Sequence, residues 1–381
     1  MKILLIFLFL SFISGQILSF ALADIRISLL DIAVLVNVIY FIFSTKALKK
    51  TTKKWYLSVF GPFLAIALIS LIITRLRYGL TNMNWLISGL YLVRFTLYSF
   101  LVAIGVWLKK TARISLPGLF ISGSMIALLG LLQYWLYPDL RNLYYLGWDP
   151  HHYRVFSTML DPNFTGIILV LTLWLGIYLY LTLHKNTLLH LLVILALGFD
   201  VLALLLTYSR GSFIAFLFGL GLWCYRRNKF FIFLLALGFF CASILMLPKS
   251  PGESVDLSRT ISVWSRWQNS QEAIGLWLNA PVLGHGFNVF GIHNSWLFIL
   301  ATTGVLGMLS YLWIWCGLYK KVKSVAEKSH QQTYFQLWKI SVLTVFLHSL
   351  FDNSLFFAPL MFWLWILTGN LFNPENRKQF G

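Results

Sequence analysis

Apolar stretches long enough to cross the hydrocarbon layer of a bilayer recur twelve times along these 381 residues, and this recurrence constrains the fold more than any other feature. Crossing needs about 20 predominantly apolar residues in a helix. The stretches run at about 3–23, 28–44, 56–73, 85–108, 115–136, 164–183, 187–207, 211–225, 229–247, 294–318, 334–352 and 354–372. Nothing in hydrocarbon can hydrogen-bond a free backbone N–H or C=O, so each stretch must satisfy its own polar groups as a helix. A content of 59% hydrophobic against 11% charged residues, with a mean hydropathy of +0.78, excludes a soluble globular domain. The expected fold class is an all-α integral membrane protein of about 12 transmembrane helices, one polytopic domain over residues 1–381. The first stretch also has the form of a signal peptide, with Lys2 ahead of an apolar run that ends in Ala21-Leu22-Ala23. Its length and the spans that follow favour a retained helix. Cys224, Cys241 and Cys316 all fall inside spans, which suggests packing and neither a disulfide framework nor a thiolate metal site.

Lysine and arginine set the orientation, because short cytoplasmic loops are enriched in both. With the N-terminus inside, the cytoplasmic segments hold 19 of the 30 basic residues, and these 19 are 15 lysines and 4 arginines. The opposite face holds Arg26, Arg75, Arg77, Arg141, Arg154, Arg210, Arg259, Arg266 and a single lysine, Lys249. The two faces therefore use different cations. Lysine is a compact hydrated charge suited to topology and anionic headgroups, whereas the arginine fork binds phosphate through two parallel hydrogen bonds. The outer face reads as one built to hold a phosphorylated ligand. The plainer alternative pairs these arginines with the acidic residues of that face, Asp139, Asp149, Asp161, Glu253, Asp256, Glu272 and Asp352. The net charge of +18 is mostly the cytoplasmic lysine count, so nucleic-acid binding is not implied.

Polar residues gather in two external segments and one turn. Residues 248–293 form a large external loop between the ninth and tenth spans, with Arg259, Arg266, the run Pro281-Val282-Leu283-Gly284-His285-Gly286, and His293 beside Asn294. Residues 138–163 form a second loop with Arg141, Asp149-Pro150-His151-His152, Arg154 and Asp161-Pro162-Asn163, the last of which also has the residue types of a helix cap. The adjacent His151 and His152 lack a partnering cysteine or carboxylate motif, so no metal is assigned to them. The seventh and eighth spans are joined by Tyr208-Ser209-Arg210-Gly211-Ser212, which holds an arginine at the outer surface. Charges inside spans are functional candidates by default. Arg94 and Asp200 both fall some 10–15 Å below the outer boundary at about 1.5 Å per residue, as an ion pair or as ligand-binding groups. Lys339 is close enough to the inner surface to snorkel.

The chain resembles the superfamily of O-antigen ligases and Wzy-type O-antigen polymerases, bacterial membrane glycosyltransferases, over most of its length from about residue 85. The resemblance rests on Arg154 to Asn163 before a span, Ser209-Arg210-Gly211, an arginine followed by Pro281-x-x-Gly284-x-Gly286, His293-Asn294 leading to Gly304-Val305-Leu306-Gly307, and His348 with Asp352. It implies a GT-C-like architecture in the bacterial cytoplasmic (inner) membrane, with the site facing the periplasm. It implies transfer of an oligo- or polysaccharide from an undecaprenyl diphosphate carrier to an acceptor hydroxyl, without nucleotide sugar, metal or other cofactor. The partners implied are the polyprenyl-diphosphate-linked glycan donor, a lipid A core or glycan acceptor, and membrane lipids. The functional residues it implies are Arg210, Arg266 and His293. Arg266 stands the expected distance before Pro281, but the tryptophan that usually follows is replaced by Ser270, which leaves Arg259 as an alternative.

The chemistry asks for the same residue types. A departing diphosphate develops negative charge and needs cations, which Arg210 and Arg266 would supply, with Arg154, Arg259 and Arg94 as further diphosphate-binding candidates. A histidine with a pKa near 6.5 is suited to take the acceptor hydroxyl's proton. His293 is the candidate base, with His285 a weaker one. Its plainer reading is a helix-start residue whose neighbour Asn294 caps the tenth span. Asn294, His348, Asp352, Asp161 and Asn163 are expected to support the site. Two alternatives stay open: a Wzy-type polymerase, which shares the donor and differs in acceptor, and a lipid-linked oligosaccharide flippase or transporter. Carriers tend to show related halves around a midplane site, whereas this chain shows no internal repeat and places its polar residues at one surface.

Overall fold

The computed structural model describes residues 2–22, 25–44, 50–107, 112–183, 187–248, 255–258, 260–329 and 331–371. It is 79% helical with almost no sheet. Thirteen helices carry the described chain: α1 (Lys2–Ser14), α2 (Leu29–Ser44), α3 (Lys50–Tyr78), α4 (Asn82–Trp107), α5 (Ala112–Leu136), α6 (Pro162–Thr182), α7 (Thr187–Leu206), α8 (Arg210–Arg226), α9 (Phe230–Leu245), α10 (Ile261–Asn279), α11 (Ser295–Ser329), α12 (Gln332–His348) and α13 (Ala358–Leu371). Each of the twelve apolar stretches holds one helix, and α10 is additional. Six are long and apolar enough to cross a membrane, within α3, α4, α5, α6, α7 and α11, while α1, α2 and α9 are apolar but shorter. α7 carries the kind of surface that lipid covers: only 28% of its apolar window is buried, and Leu188, Leu191, Leu192 and Leu195 face outward. α6 is the opposite case. With 78% of its window buried, it runs through the middle, packed by α5, α7, α8 and α12.

Three elements differ from the sequence expectation. The first stretch is not one helix: α1 ends at Ser14, Gly15 takes a left-handed φ of 54°, and the N–H of Gln16 turns away to the carbonyl of Thr158. The chain continues as an antiparallel hairpin of β1 (Ser19–Leu22) and β2 (Ile25–Ser28), the one sheet among the described residues. The large external loop is not irregular throughout either, since it contains α10. Finally, the eleventh stretch stops being helical at His348, and the segment Ser349 to Ser354, in which Ser349, Asp352 and Ser354 are buried, bends the chain into α13.

α11 is broken at Gly304, whose φ of 66° and ψ of −168° no helix allows. The break is filled by the Pro281–Gly286 segment. Val305 N–H donates to Pro281 O at 2.9 Å, His285 N–H to Ala301 O at 2.9 Å, and the hydroxyl of Ser70 on α3 donates to Leu283 O and Thr302 O. Backbone freed from a helix inside a membrane protein must find such partners. Both faces of the joint need glycine: a Cβ on Gly304 would lie 2.2 Å from Val282 O, and one on Gly284 2.4 Å from the Thr302 carbonyl carbon. Two glycine-bearing motifs 20 residues apart are thus halves of one structural joint.

Candidate functional site

The loops after α1, α5, α7, α9 and α12 meet at one end of the bundle. Gln16 N–H reaches Thr158 O, Val155 N–H reaches Leu206 O, the Tyr208 hydroxyl reaches Pro248 O, and Ser295 N–H reaches Ser349 O. At the centre of that end stands the start of α6. Asp161 caps it, its carboxylate accepting the N–H groups of Asn163 at 2.6 Å and Phe164 at 3.1 Å. Burial, and then the charge of Asp352, push the Asp161 carboxyl up to about 6, although these N–H bonds and Arg154 act the other way.

The Ser209-Arg210 turn is clamped onto this cap. The Ser209 hydroxyl donates to Asn163 Oδ1 at 3.1 Å and caps α8 by accepting from Ser212 N–H, while the Ser212 hydroxyl donates to Asn163 O at 3.2 Å. Arg154 is buried, and its fork is turned to the turn's own backbone, with Nε to Thr207 O at 2.7 Å and an Nη to Tyr208 O at 3.4 Å. Arg154 is therefore a positioning residue, not a cation presented to ligand. Gln133 completes the frame by accepting both Phe156 and Ser157 N–H at its Oε1. The described chain has six non-glycine residues at positive φ. Two are Asn228 and Asn288, a residue type that tolerates the region; the other four, Tyr153, Ser157, Leu160 and Tyr208, belong to this frame. Each costs about 1–2 kcal/mol and persists because the surrounding bonds fix it.

Arg210 extends from the turn toward the large loop, donating to Leu257 O at 3.1 Å and to the Ser262 hydroxyl of α10 at 2.9 Å. Arg266, one turn further along α10, donates to Asp352 Oδ1 at 2.9 Å. The two guanidiniums are close enough that, after burial, the charge of Arg266 is the largest influence lowering the pKa of Arg210. Behind them lies His348, fully buried, with Nδ1 2.7 Å from Ser354 Oγ and Nε2 3.4 Å from Ser212 Oγ and 3.9 Å from Asp352. His348 holds Asp352 and the α8 start in place and has no face to the outside. His293 is exposed at the foot of α11, its backbone N–H donating at 2.8 Å to Asn269 Oδ1, three residues beyond Arg266 on α10. Asn294 caps α11 through Trp296 and Leu297 N–H and ties down Leu350 O.

Several expected residues do not join this cluster. Arg94 does not pair with Asp200. Its fork closes on Asp31 at 3.0 Å and on the hairpin carbonyl of Arg26, with Tyr98 and Ser28 completing the shell of Asp31, because α2 is the neighbour of α4 and α7 is not. Asp200 instead accepts from Ser124 on α5 at 3.0 Å. Both intramembrane charges are internal struts. His285 is committed to the joint, its Nε2 2.8 Å from Leu276 O. Arg259 lies outside the described residues. Arg141 pairs with Asp139, so for Arg141 and Arg266, two of the outer-face arginines, the acid-pairing alternative holds.

Beside the cap of α6, a cavity of about 340 Å³ is lined by Asp161, Arg94, Asp31, Arg26 and Trp148, the last two in cation–π contact at 3.7 Å. Asp149 also lines it, and one ligand atom each of Asp149, His151 and Asp161 lie within 4.8 Å of one another, a grouping able to hold a metal ion. Sequence reasoning overlooked this cluster because Asp161 joins Asp149 and His151 only through the fold. It also missed Asp31, Gln133, Ser212, Ser262, Asn269 and Ser354. A detectable signal existed for two of these: Ser262, Arg266, Asn269 and Ala273 recur at helical spacing, the pattern of one face of α10.

No protein-family model and no curated protein sequence matches the chain.

Proposed function

We propose that the protein is a membrane glycosyltransferase of the O-antigen ligase type, moving a glycan from a polyprenyl diphosphate carrier to an acceptor hydroxyl at the periplasmic face of a twelve-span, GT-C-like bundle. The observation that carries this reading is the convergence of Arg210 and Arg266, from α8 and α10, at the polar end of an otherwise apolar bundle. Two neighbouring guanidiniums favour a multiply charged anion between them, and a diphosphate fits that demand.

In the proposed reaction the acceptor oxygen attacks the anomeric carbon and the bond from that carbon to the diphosphate oxygen breaks. The leaving diphosphate takes the electron pair, and Arg210 and Arg266 stabilise the charge that develops on it. The acceptor proton passes to the imidazole of His293, a residue whose backbone N–H donates to Asn269 of α10. Asp352 orients Arg266, while Arg154, Asn163 and Ser209 fix the turn from which Arg210 projects.

A flippase fits less well, because Arg94 and Asp200, the charges inside the apolar layer on its outer side, are engaged by Asp31 and Ser124 rather than set along a path. The test is transfer by purified protein from a lipid-linked donor. Arg210→Ala, Arg266→Ala and His293→Ala should each abolish product while the protein still inserts, and wild-type activity in all three would overturn the proposal. Gene deletion separates the acceptors. Loss of capped lipopolysaccharide with accumulation of carrier-linked polymer marks a ligase, whereas products of a single repeat mark the polymerase alternative.

A further inference from the structure

At the end of the bundle opposite the arginine pair, α6, α8 and α12 part to leave a cleft of about 180 Å³. It lies roughly 24 Å from the Arg210 turn, the length of α8 at 1.5 Å per residue. Trp174 and Tyr178 of α6, Trp223 of α8, and Leu337 and Ile340 of α12 make its walls apolar and aromatic, and Arg226 and Arg227 stand at its mouth. Arg226 donates to Gln336 Oε1 across the cleft, and the Arg227 guanidinium lies 5.0 Å over the Trp223 ring. Lys339 and, beyond it, Lys323 add to the same field, Lys339 being near enough to Arg226 for their charges to oppose. No carboxylate is among the described lining residues. The acid nearest in sequence, Glu327, meets Lys323 at 3.8 Å in an exposed pair of the kind that contributes little.

Helix-end cations alone would satisfy the C-terminus of α8. They would not require an apolar, aromatic cleft beneath them, nor Gln336 of a second helix bridging to Arg226 across it. A phosphate at the arginines with the start of an acyl chain in the cleft satisfies both halves at once, and Leu181, 45% exposed, leads that chain outward to the surface of α6. Tryptophan and tyrosine are the side chains that suit such a boundary between headgroup and chain. We infer that this cleft is a binding site for one anionic phospholipid, its phosphate held by Arg226 and Arg227 and the start of an acyl chain entering the cleft before passing out over Leu181. Basic pockets between membrane helices select headgroups in this way. The site is separate from the proposed transfer chemistry and does not depend on it.

Native mass spectrometry of the protein in a nonionic detergent tests this, with phosphatidylglycerol, phosphatidylcholine and soluble glycerol 3-phosphate as probes. Phosphatidylglycerol should be retained in preference to phosphatidylcholine. The double variant Arg226→Gln/Arg227→Gln should lower its affinity about twenty-five-fold, from about fivefold for each cation set against an anionic headgroup. Lys53→Gln/Lys54→Gln, an equal loss of charge at the exposed start of α3, should leave retention unchanged. Equal retention of the two lipids by the wild-type protein overturns the inference, as does a double variant that binds like wild type. Displacement of phosphatidylglycerol by millimolar glycerol 3-phosphate assigns the cleft to soluble phosphates and also overturns it. If the double variant does not fold, the wild-type preference and its decline with salt decide the matter on the same terms.

Discussion

Arg266 has two roles that a single substitution would confuse, and a double-mutant cycle with Asp352 separates them. The pair is 2.9 Å apart, with the arginine side chain 28% exposed and the carboxylate 9%. At an effective dielectric of 20 the Coulomb attraction at that distance is about 6 kcal/mol. Desolvation and the water still reaching the guanidinium return most of it, so Arg266→Ala should lower stability by about 1–3 kcal/mol, chiefly by leaving Asp352 buried without its cation. Asp352→Asn should cost a similar amount, and the double variant less than the sum. Activity should divide differently. Removing a cation that meets the leaving diphosphate should lower the transfer rate by about 10²–10³-fold, the effect of losing one preorganised donor to a developing anion. Asp352→Asn, which leaves the arginine present but less well aimed, should lose much less, and Arg266→Lys should recover little because a point charge cannot replace the fork. Unfolding curves in detergent supply the stabilities, and product formation from a lipid-linked donor supplies the rates. The reasoning fails if Arg266→Ala transfers at the wild-type rate, or if its activity falls only in step with its unfolded fraction.

Three further outcomes follow from other parts of the structure. The Asp161 carboxyl is raised from 3.8 to about 6, so the folded state holds a proton that the unfolded state has released between those values; stability should fall as pH rises from 4 to 6 and level off above. Asp161→Asn, still a helix cap, should flatten that fall, by at most about 3 kcal/mol for two units, and a pH series of melting temperatures showing the same slope in both proteins would refute the assignment. Gly304→Ala should lower the melting temperature sharply, since it combines a left-handed φ with a Cβ 2.2 Å from Val282 O, whereas Gly275→Ala, in open space on α10, should raise it slightly; equal effects would remove the joint. Transfer should persist in excess chelator, and loss that a divalent cation restores would instead give Asp149, His151 and Asp161 a role in the reaction.

Hydropathy placed a helix in every apolar stretch, but the first stretch proved to be a short helix and a hairpin, and α11 runs eleven residues past the stretch that marked it, to Ser329. The reason is that hydropathy reports what lies next to lipid and is blind to what lies next to protein. The break at Gly304 sits inside an apolar run, where its freed backbone is satisfied by a segment 20 residues earlier. Depth along a span gave Arg94 and Asp200 matching levels, but partners are chosen by helix adjacency, and α4 lies against α2. The order of the polar motifs was legible and did bring Asn163, Ser209, Arg210, Arg266, His348 and Asp352 to one place. Their division of labour was not. Arg154 and Arg210 look alike in sequence, yet one is spent on two carbonyls and the other projects toward α10.

The orientation of α10 bears most directly on how a lipid-linked substrate would reach such a site. Its inward face carries Ser262, Arg266, Asn269, Ser270 and the fully buried Ala273, while Val263, Trp264, Trp267 and Leu278 face outward and are 53–63% exposed. The outward side is mixed, since Ser265, Gln268, Gln271 and Glu272 are exposed beside these apolar side chains, whereas the usual amphipathic helix turns its apolar stripe to the protein core. An outward tryptophan pair would be unfavourable in water and is favourable at the headgroup level of a bilayer, where an aromatic ring has an apolar body and a polar edge to satisfy. Under the proposed function, a helix lying there would present its arginine to the protein interior at the depth of the carrier's diphosphate, with the polyprenyl chain in the hydrocarbon below. The same geometry explains why Arg266 is held by Asp352. A guanidinium on an interfacial helix would otherwise be drawn to bulk headgroups, and the carboxylate keeps it turned toward Arg210 at the cost of a partly buried ion pair.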